Sequence, residues 1–206
     1  MNNYIYLFDL DSTITKEEIL PKIAKELGKE KDIRVLTEKT MIGEIPFKES
    51  FLERVEILKQ IPISVVQDHI ENIQLNEKIV HFIQKNKDKC FILTGNLDVW
   101  IKKLLIKLDL EQNCFCSKAS VYDDKLISVV SVIDKSLICE QIVQDYVAIG
   151  DGNNDAEMVK KAKIGIGYGG VRPIASALLD NADFAFYSED KLCEFLYLLE
   201  RGVINI

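Results

Sequence analysis

Two aspartates separated by one residue, Asp9 and Asp11, stand in the string Phe8-Asp9-Leu10-Asp11-Ser12-Thr13, directly after the apolar run Tyr4-Ile5-Tyr6-Leu7. Carboxylates at the mouth of a buried strand project from a loop into one crevice. There each opposes the other's ionisation unless a cation or a proton compensates. A solvated Asp-Ser turn is the plain alternative for such a pair taken alone. Two more polar clusters occupy equivalent places: Thr94-Gly95-Asn96 after Cys90-Phe91-Ile92-Leu93, and Gly150-Asp151-Gly152-Asn153-Asn154-Asp155 after Val147-Ala148-Ile149. Each cluster supplies a different part of phosphoryl transfer. Thr94 offers a hydroxyl, and Gly95 lets backbone N–H groups approach an anion closely at a helix start. Asp9 and Asp151 are hard oxygen ligands suited to Mg²⁺, which needs few protein carboxylates. Gly150 and Gly152 permit a tight turn that aims Asp151 inward. Lys135 falls between a hairpin and a helix, placed to reach back as a fixed positive charge beside a dianionic phosphate.

The elements that must position these groups follow two rhythms. Residues 15–76 read as mostly helical: Ile19, Leu20, Ile23, Ala24 and Leu27 recur at helical spacing over residues 16–27, which end at Gly28. Residues 33–42 and 47–58 repeat the habit, with Pro46 where a helix starts, and 63–73 form a weaker fourth. Four helices without an intervening strand predict a small insertion placed on the core immediately after the first strand. From residue 77 onward helices alternate with strands. The helices are expected over 77–86, 98–108, 136–143, 156–162, 173–179 and 191–199. The strands are expected over 90–93, 115–119, 147–149 and 183–186, with the segment 163–167 between helices and a hairpin over 121–132 turning on Asp123-Asp124. The expected fold is therefore α/β: a three-layer, doubly wound parallel sheet with a small helical cap inserted after the first strand. The core comprises residues 1–14 and 77–206, the cap residues 15–76. Such sheets bind ligands at the carboxyl ends of their strands, where all three polar clusters lie.

Composition narrows the partners. A chain of 206 residues, 48% hydrophobic and 29% charged, can bury a sizeable core and reads as an ordinary soluble globular protein. A net charge of −7 without a dense Lys/Arg block argues against nucleic acid. No apolar run approaches the roughly 18 residues of a membrane span, and the N-terminus lacks the basic-then-apolar pattern of a secretion signal. The five cysteines, Cys90, Cys114, Cys116, Cys139 and Cys193, are odd in number and mostly sit inside apolar runs, which suits a reducing cytoplasm. Cys114 and Cys116 are the only close pair, with no second Cys or His pair at zinc spacing. The expected partner is a small phosphorylated metabolite, and the oligomeric state is left open.

The segments D-L-D-S-T (residues 9–13), T-G-N (94–96), Lys135 and G-D-G-N-N-D (150–155) occur in an order that resembles the haloacid dehalogenase superfamily of phosphotransferases. The resemblance spans most of the chain and implies roles. Asp9 would be the nucleophile that forms an aspartyl-phosphate. Asp11 would protonate the leaving alkoxide and then deprotonate the hydrolytic water. The Asp11 backbone carbonyl, with the side chains of Asp9 and Asp151, would bind Mg²⁺, supported by Asp155 from behind. Thr94, Gly95 and Lys135 would grip the phosphoryl oxygens, with Asn96 and Asn154 in the substrate site. A carboxylate at Asp11 favours a phosphatase over a phospho-accepting regulatory protein, the alternative of a different class.

Within that superfamily the insertion resembles the cap of the phosphoserine phosphatases. In that pattern a glutamate nine residues after the nucleophile binds the substrate amino group, and here that position is Glu18. A cap phenylalanine and an arginine seven residues on, which takes the substrate carboxylate, match Phe47 and Arg54. Arginine suits a carboxylate and glutamate an ammonium, so the pair would read an amino acid's zwitterion. Each also has a plain alternative: solvated helix faces for Glu18 and Arg54, cap core for Phe47. The chain departs from the pattern at Asn96, where a second glycine is usual, and at Ser136 after Lys135. Another small ester, such as a nucleotide or sugar phosphate, stays open.

Overall fold

The structure, a computed structural model, describes residues 4–204, so residues 1–3 and 205–206 of the expected core lie outside it. The chain runs from β1 (Ile5–Phe8) through four helices, α1 (Ile19–Ala24), α2 (Glu30–Met41), α3 (Phe47–Leu58) and α4 (Ile63–Glu71). Then follow α5 (Glu77–Lys85), β2 (Cys90–Leu97), α6 (Asp98–Leu108), β3 (Cys114–Tyr122), β4 (Lys125–Ser131), α7 (Lys135–Cys139) and β5 (Tyr146–Gly150). It closes with α8 (Ala156–Lys160), β6 (Ile164–Tyr168), α9 (Ser176–Leu179), β7 (Phe184–Phe186) and α10 (Glu189–Glu200). The seven strands order as β4-β3-β2-β1-β5-β6-β7, parallel throughout except for the β3–β4 hairpin.

Apolar runs in β1, β2 and β5 are what strands covered on both faces require. Alternate residues of β1 point to opposite layers. Tyr6 and Phe8 meet Phe82 of α5, with ring centroids 5.1 and 6.3 Å apart, whereas Leu7 joins the cluster of Leu93, Ala148 and Met158. Helices α5, α6 and α10 thus cover one face, and α7, α8 and α9 the other. The first of these clusters runs on without a break into α1, α3 and α4 through Ile19, Phe51 and Val66. No helix among the described residues is long and apolar enough to cross a membrane.

Several elements differ from the sequence reading for local reasons. β2 extends through Leu97 and takes in Thr94, Gly95 and Asn96, with its register against β3 shifting between Thr94 and Leu97. α1 starts only at Ile19, because Lys16 N–H bonds Gln74 O at 2.8 Å and Thr15 bridges Leu75, holding the chain extended. α7 stops at Cys139, well short of residue 143, leaving Val143 fully exposed. The hairpin turns where expected: Asp123 and Asp124 both have positive φ, 48° and 60°, the pattern of a tight two-residue loop.

Candidate active site

Behind β1 the chain makes a narrow irregular turn over Leu10–Ile14, with Ser12 in the left-handed region at φ 58°. That conformation costs a non-glycine residue about 1 kcal/mol, and neighbouring hydrogen bonds hold it. Thr15 N–H bonds Leu10 O at 2.9 Å, Ser12 N–H bonds Thr15 Oγ1 at 3.1 Å, and Asn76 Nδ2 donates to Thr13 O at 2.8 Å. The turn delivers Asp9 and Asp11 to one cavity. Asp11 is fixed there by Ile19 N–H on Oδ1 at 2.8 Å and by Asn96 Nδ2 on Oδ2.

The loop after β5 sits directly beside Asp9. Gly150 is required by closeness: a Cβ there would lie 2.7 Å from the Asp155 side chain. Asp155 Oδ2 accepts from the backbone N–H of Gly152 at 2.9 Å and of Asp151 at 3.2 Å, which folds the loop back on itself. Lys135 Nζ, first residue of α7, donates to Asp155 Oδ1 at 2.5 Å and to Asp9 Oδ1. All three side chains are almost wholly buried. Breaking such a buried set by removing one partner costs about 3–5 kcal/mol. Carboxylate oxygens of Asp9, Asp151 and Asp155 lie within 4.8 Å of one another, and Asp151 Oδ1 is buried without a hydrogen-bond partner. An orphaned anionic oxygen among hard donors fits a small divalent cation.

Burial is the largest cause of the unusual acidities. It raises Asp9 well above the ordinary carboxylate range, with Asp155 adding to the rise and Lys135 opposing it. Burial also raises Asp11, against the hydrogen bond from Ile19 N–H. Asp151 is pushed up to about 7 by burial, although the Arg172 guanidinium pulls it down. Burial works against the Lys135 ammonium, yet Asp155 and Asp9 outweigh it and push Lys135 up.

A cavity of about 70 Å³ opens over these carboxylates. Of the residues singled out in the sequence, Asp9, Asp11, Glu18, Phe47, Arg54, Gly95, Asn96 and Asn154 line it. Asp151, Asp155, Lys135 and Thr94 are buried beside Asp9 or along β2. Thr94 Oγ1 accepts from Asn96 N–H at 3.2 Å. Phe47 presses its ring tip on Gly95, where a Cβ would stand 2.2 Å from Cζ. Arg54 is only 6% exposed, and its hydrogen bonds run to Ser50 O at 3.1 Å and Thr37 Oγ1 at 3.2 Å. No carboxylate lies within ion-pair distance of it among the described residues. Burial holds its guanidinium below the usual range, with Asp11 and Glu18 opposing.

Arg172 is the residue the sequence reading missed. It lies in the loop between β6 and α9, bonds Glu18 Oε1 through Nη1 at 2.6 Å, and bonds Asp151 Oδ2 through Nε. A signal was present: Gly169-Gly170 ends a strand at the same carboxyl edge, as in the other polar loops. Met41 and Thr37 of α2 complete the wall near Arg54.

The family model for haloacid dehalogenase-like hydrolases matches residues 5–163, and the chain belongs to that family. Within it the protein is a phosphomonoester hydrolase. The phosphoserine phosphatase of Methanocaldococcus jannaschii is 31% identical over 201 residues, which are 90% of this chain and 93% of that protein. A solved phospho-aspartyl intermediate analogue of phosphoserine phosphatase superposes with a TM-score of 0.80 at 30% identity, over 96% of this chain and 99% of that one. A substrate-bound phosphoserine phosphatase complex gives 0.79 at the same identity and coverage.

Proposed function

We propose that the protein hydrolyses phosphoserine to serine and inorganic phosphate, with residues 15–76 acting as a cap over a core formed by residues 1–14 and 77–206. The observation that carries this reading is Arg54, a buried guanidinium in the cavity wall with only neutral acceptors. An uncompensated buried charge is costly, and a substrate carboxylate relieves it with a bidentate pair. Glu18, on the same wall, takes the substrate ammonium, sharing its carboxylate with Arg172. Phe47 closes the space between the amino acid and the phosphoryl site. The relatives' names support the same substrate.

The chemistry then follows from the residues around Asp9. An Asp9 oxygen attacks phosphorus, an O–P bond forms, and the serine Oγ–P bond breaks as Asp11 hands its proton to the leaving oxygen. Asp11 next takes a proton from water, which displaces Asp9 and releases phosphate. Lys135, Thr94 and the Gly95 N–H hold the phosphoryl oxygens, whose charge grows as the bond breaks. Asp9, Asp151 and the Asp11 carbonyl would hold Mg²⁺, with Asp155 behind them and Asn154 at the rim. Bound there, the ion supplies positive charge to the phosphoryl group and keeps Asp9 ionised. Free thiols at all five cysteines fit a cytoplasmic setting, and the product makes the reaction a source of serine.

The test is turnover on a panel of phosphorylated metabolites with and without Mg²⁺. Phosphoserine should give the highest kcat/KM, with many turnovers per enzyme. Preference for a nucleotide or sugar phosphate would discard the zwitterion reading, and a single burst of phosphate release would indicate a phospho-accepting protein.

A further inference from the structure

Cys114 and Cys116 take no part in the site above, yet they lie against it. Two residues apart on β3, they present their side chains to the same side of the strand. Both are half-buried free thiols, whereas Cys90, Cys139 and Cys193 are buried. Lys118 Nζ stands 3.7 Å from Cys116 Sγ, and Cys114 is the thiol next along the same side of the strand. The neighbouring Cys114 thiol chiefly, and Lys118 with it, hold Cys116 below the ordinary thiol value against the effect of burial. A thiol favoured as thiolate beside an ammonium and partly exposed to solvent is a nucleophile.

A cavity of about 390 Å³ adjoins the pair, lined by Cys114, Cys116, Lys118, Asp134, Leu137 and Ile138. The last three flank Lys135. Asp134 caps α7 by accepting from Ser136 N–H at 2.9 Å and Leu137 N–H at 3.3 Å, so that cap sets where Lys135 stands. On the other side, Cys116 is in register with Thr94 of β2. Its neighbour Ser117 donates to Gly95 O at 2.7 Å and accepts from Ile133 N–H at 3.1 Å. A group bound at Cys116 therefore lies against the segment that carries Lys135.

We propose that Cys116 is a thiol–disulfide exchange site, and that capping it with a low-molecular-weight disulfide lowers phosphatase turnover by displacing α7 and Lys135. In the step, the Cys116 thiolate attacks one sulfur of R–S–S–R. A new S–S bond forms at Cys116, the reagent's own S–S bond breaks, and RS⁻ departs with the electron pair. The reagent disulfide is the oxidant, and a thiol reverses the exchange.

The full chain is incubated with oxidised glutathione, followed by intact mass and peptide mapping. Hydrolysis of p-nitrophenyl phosphate is read in parallel, because that ester needs none of the amino-acid contacts. One glutathione should add to Cys116, about tenfold or more faster than to any buried cysteine. Turnover should fall about fivefold or more and return on adding a thiol reductant. Cys116→Ser and Cys116→Ala should stay fully active throughout and take up no early adduct. First reaction at another cysteine, or a Cys116 adduct that leaves turnover unchanged, overturns the proposal. The mass readout is independent of any substrate, so its failure is separable from failure of the phosphoserine reading.

Discussion

The two walls of the cavity are built on different principles. On the sheet side, Lys135 at the start of α7 pairs in full burial with Asp9 at the end of β1 and Asp155 in the loop after β5, one ammonium between two carboxylates. On the helical side, Arg54 is anchored by a main-chain carbonyl and a hydroxyl and keeps its charge unmatched. The sheet side keeps one carboxylate more than Lys135 matches and an Asp151 oxygen without a partner; the helical side keeps a guanidinium without a carboxylate. One wall thus leaves negative charge over, and the other leaves a positive charge unmatched.

The largest expected effect tests the sheet side. Asp9→Asn, nearly isosteric, should lower turnover about 10⁴-fold or more on any phosphate ester while the fold persists, because Lys135 keeps its pair with Asp155. Substantial residual activity would remove Asp9 as the nucleophile. The helical side is probed by Arg54→Ala, which should reduce kcat/KM for phosphoserine about a hundredfold. The same change should alter p-nitrophenyl phosphate hydrolysis only a few-fold; equal losses on both would erase the contrast between the walls.

The orphaned oxygen of Asp151 gives a smaller, pH-dependent effect. Its carboxyl is raised from 3.8 to about 7, so in the metal-free protein its proton is retained until that range. A raised folded value favours the folded state at low pH, and that contribution fades as pH climbs from about 4 through 7. Mg²⁺ competes with the proton, so its stabilisation in thermal melts should be slight at pH 5 and clear at pH 8. Asp151→Asn should flatten that difference. The mildest change is Gly95→Ala. The new methyl would push the Phe47 ring aside, raising KM a few-fold and costing about 1–3 kcal/mol, as overpacking does. Adding Phe47→Leu should recover part of both.

The sheet side was largely legible in the sequence, because a polar cluster right after a short apolar strand has few other places to go. Asp9, Thr94 and Asp151 each announce themselves that way. The helical side was legible only through matched offsets, since Glu18 and Arg54 on charged helices resemble any solvated face. Arg172 escaped because its partners are remote: Glu18 lies 154 positions away and meets it only when the β6–α9 loop folds over the sheet edge. The short α7 escaped for another reason. Residues 136–143 keep a helical pattern of apolar side chains, but the helix ends at Cys139 and Val143 is left in solvent. Periodicity records which residues favour a helix, not how much room the neighbours leave for one.

The tip of the hairpin carries a consequence for motion. Asp124 accepts from Ser64 N–H at 2.9 Å and from the Ser64 hydroxyl at 2.6 Å, and its own carbonyl takes Ile63 N–H at 2.9 Å. The start of α4 is therefore clasped to the far edge of the sheet, while Thr15 and Leu75 pair on the near side. A door fastened along both jambs does not swing freely: any outward movement of these helices needs this clasp to let go or β3 and β4 to travel with them.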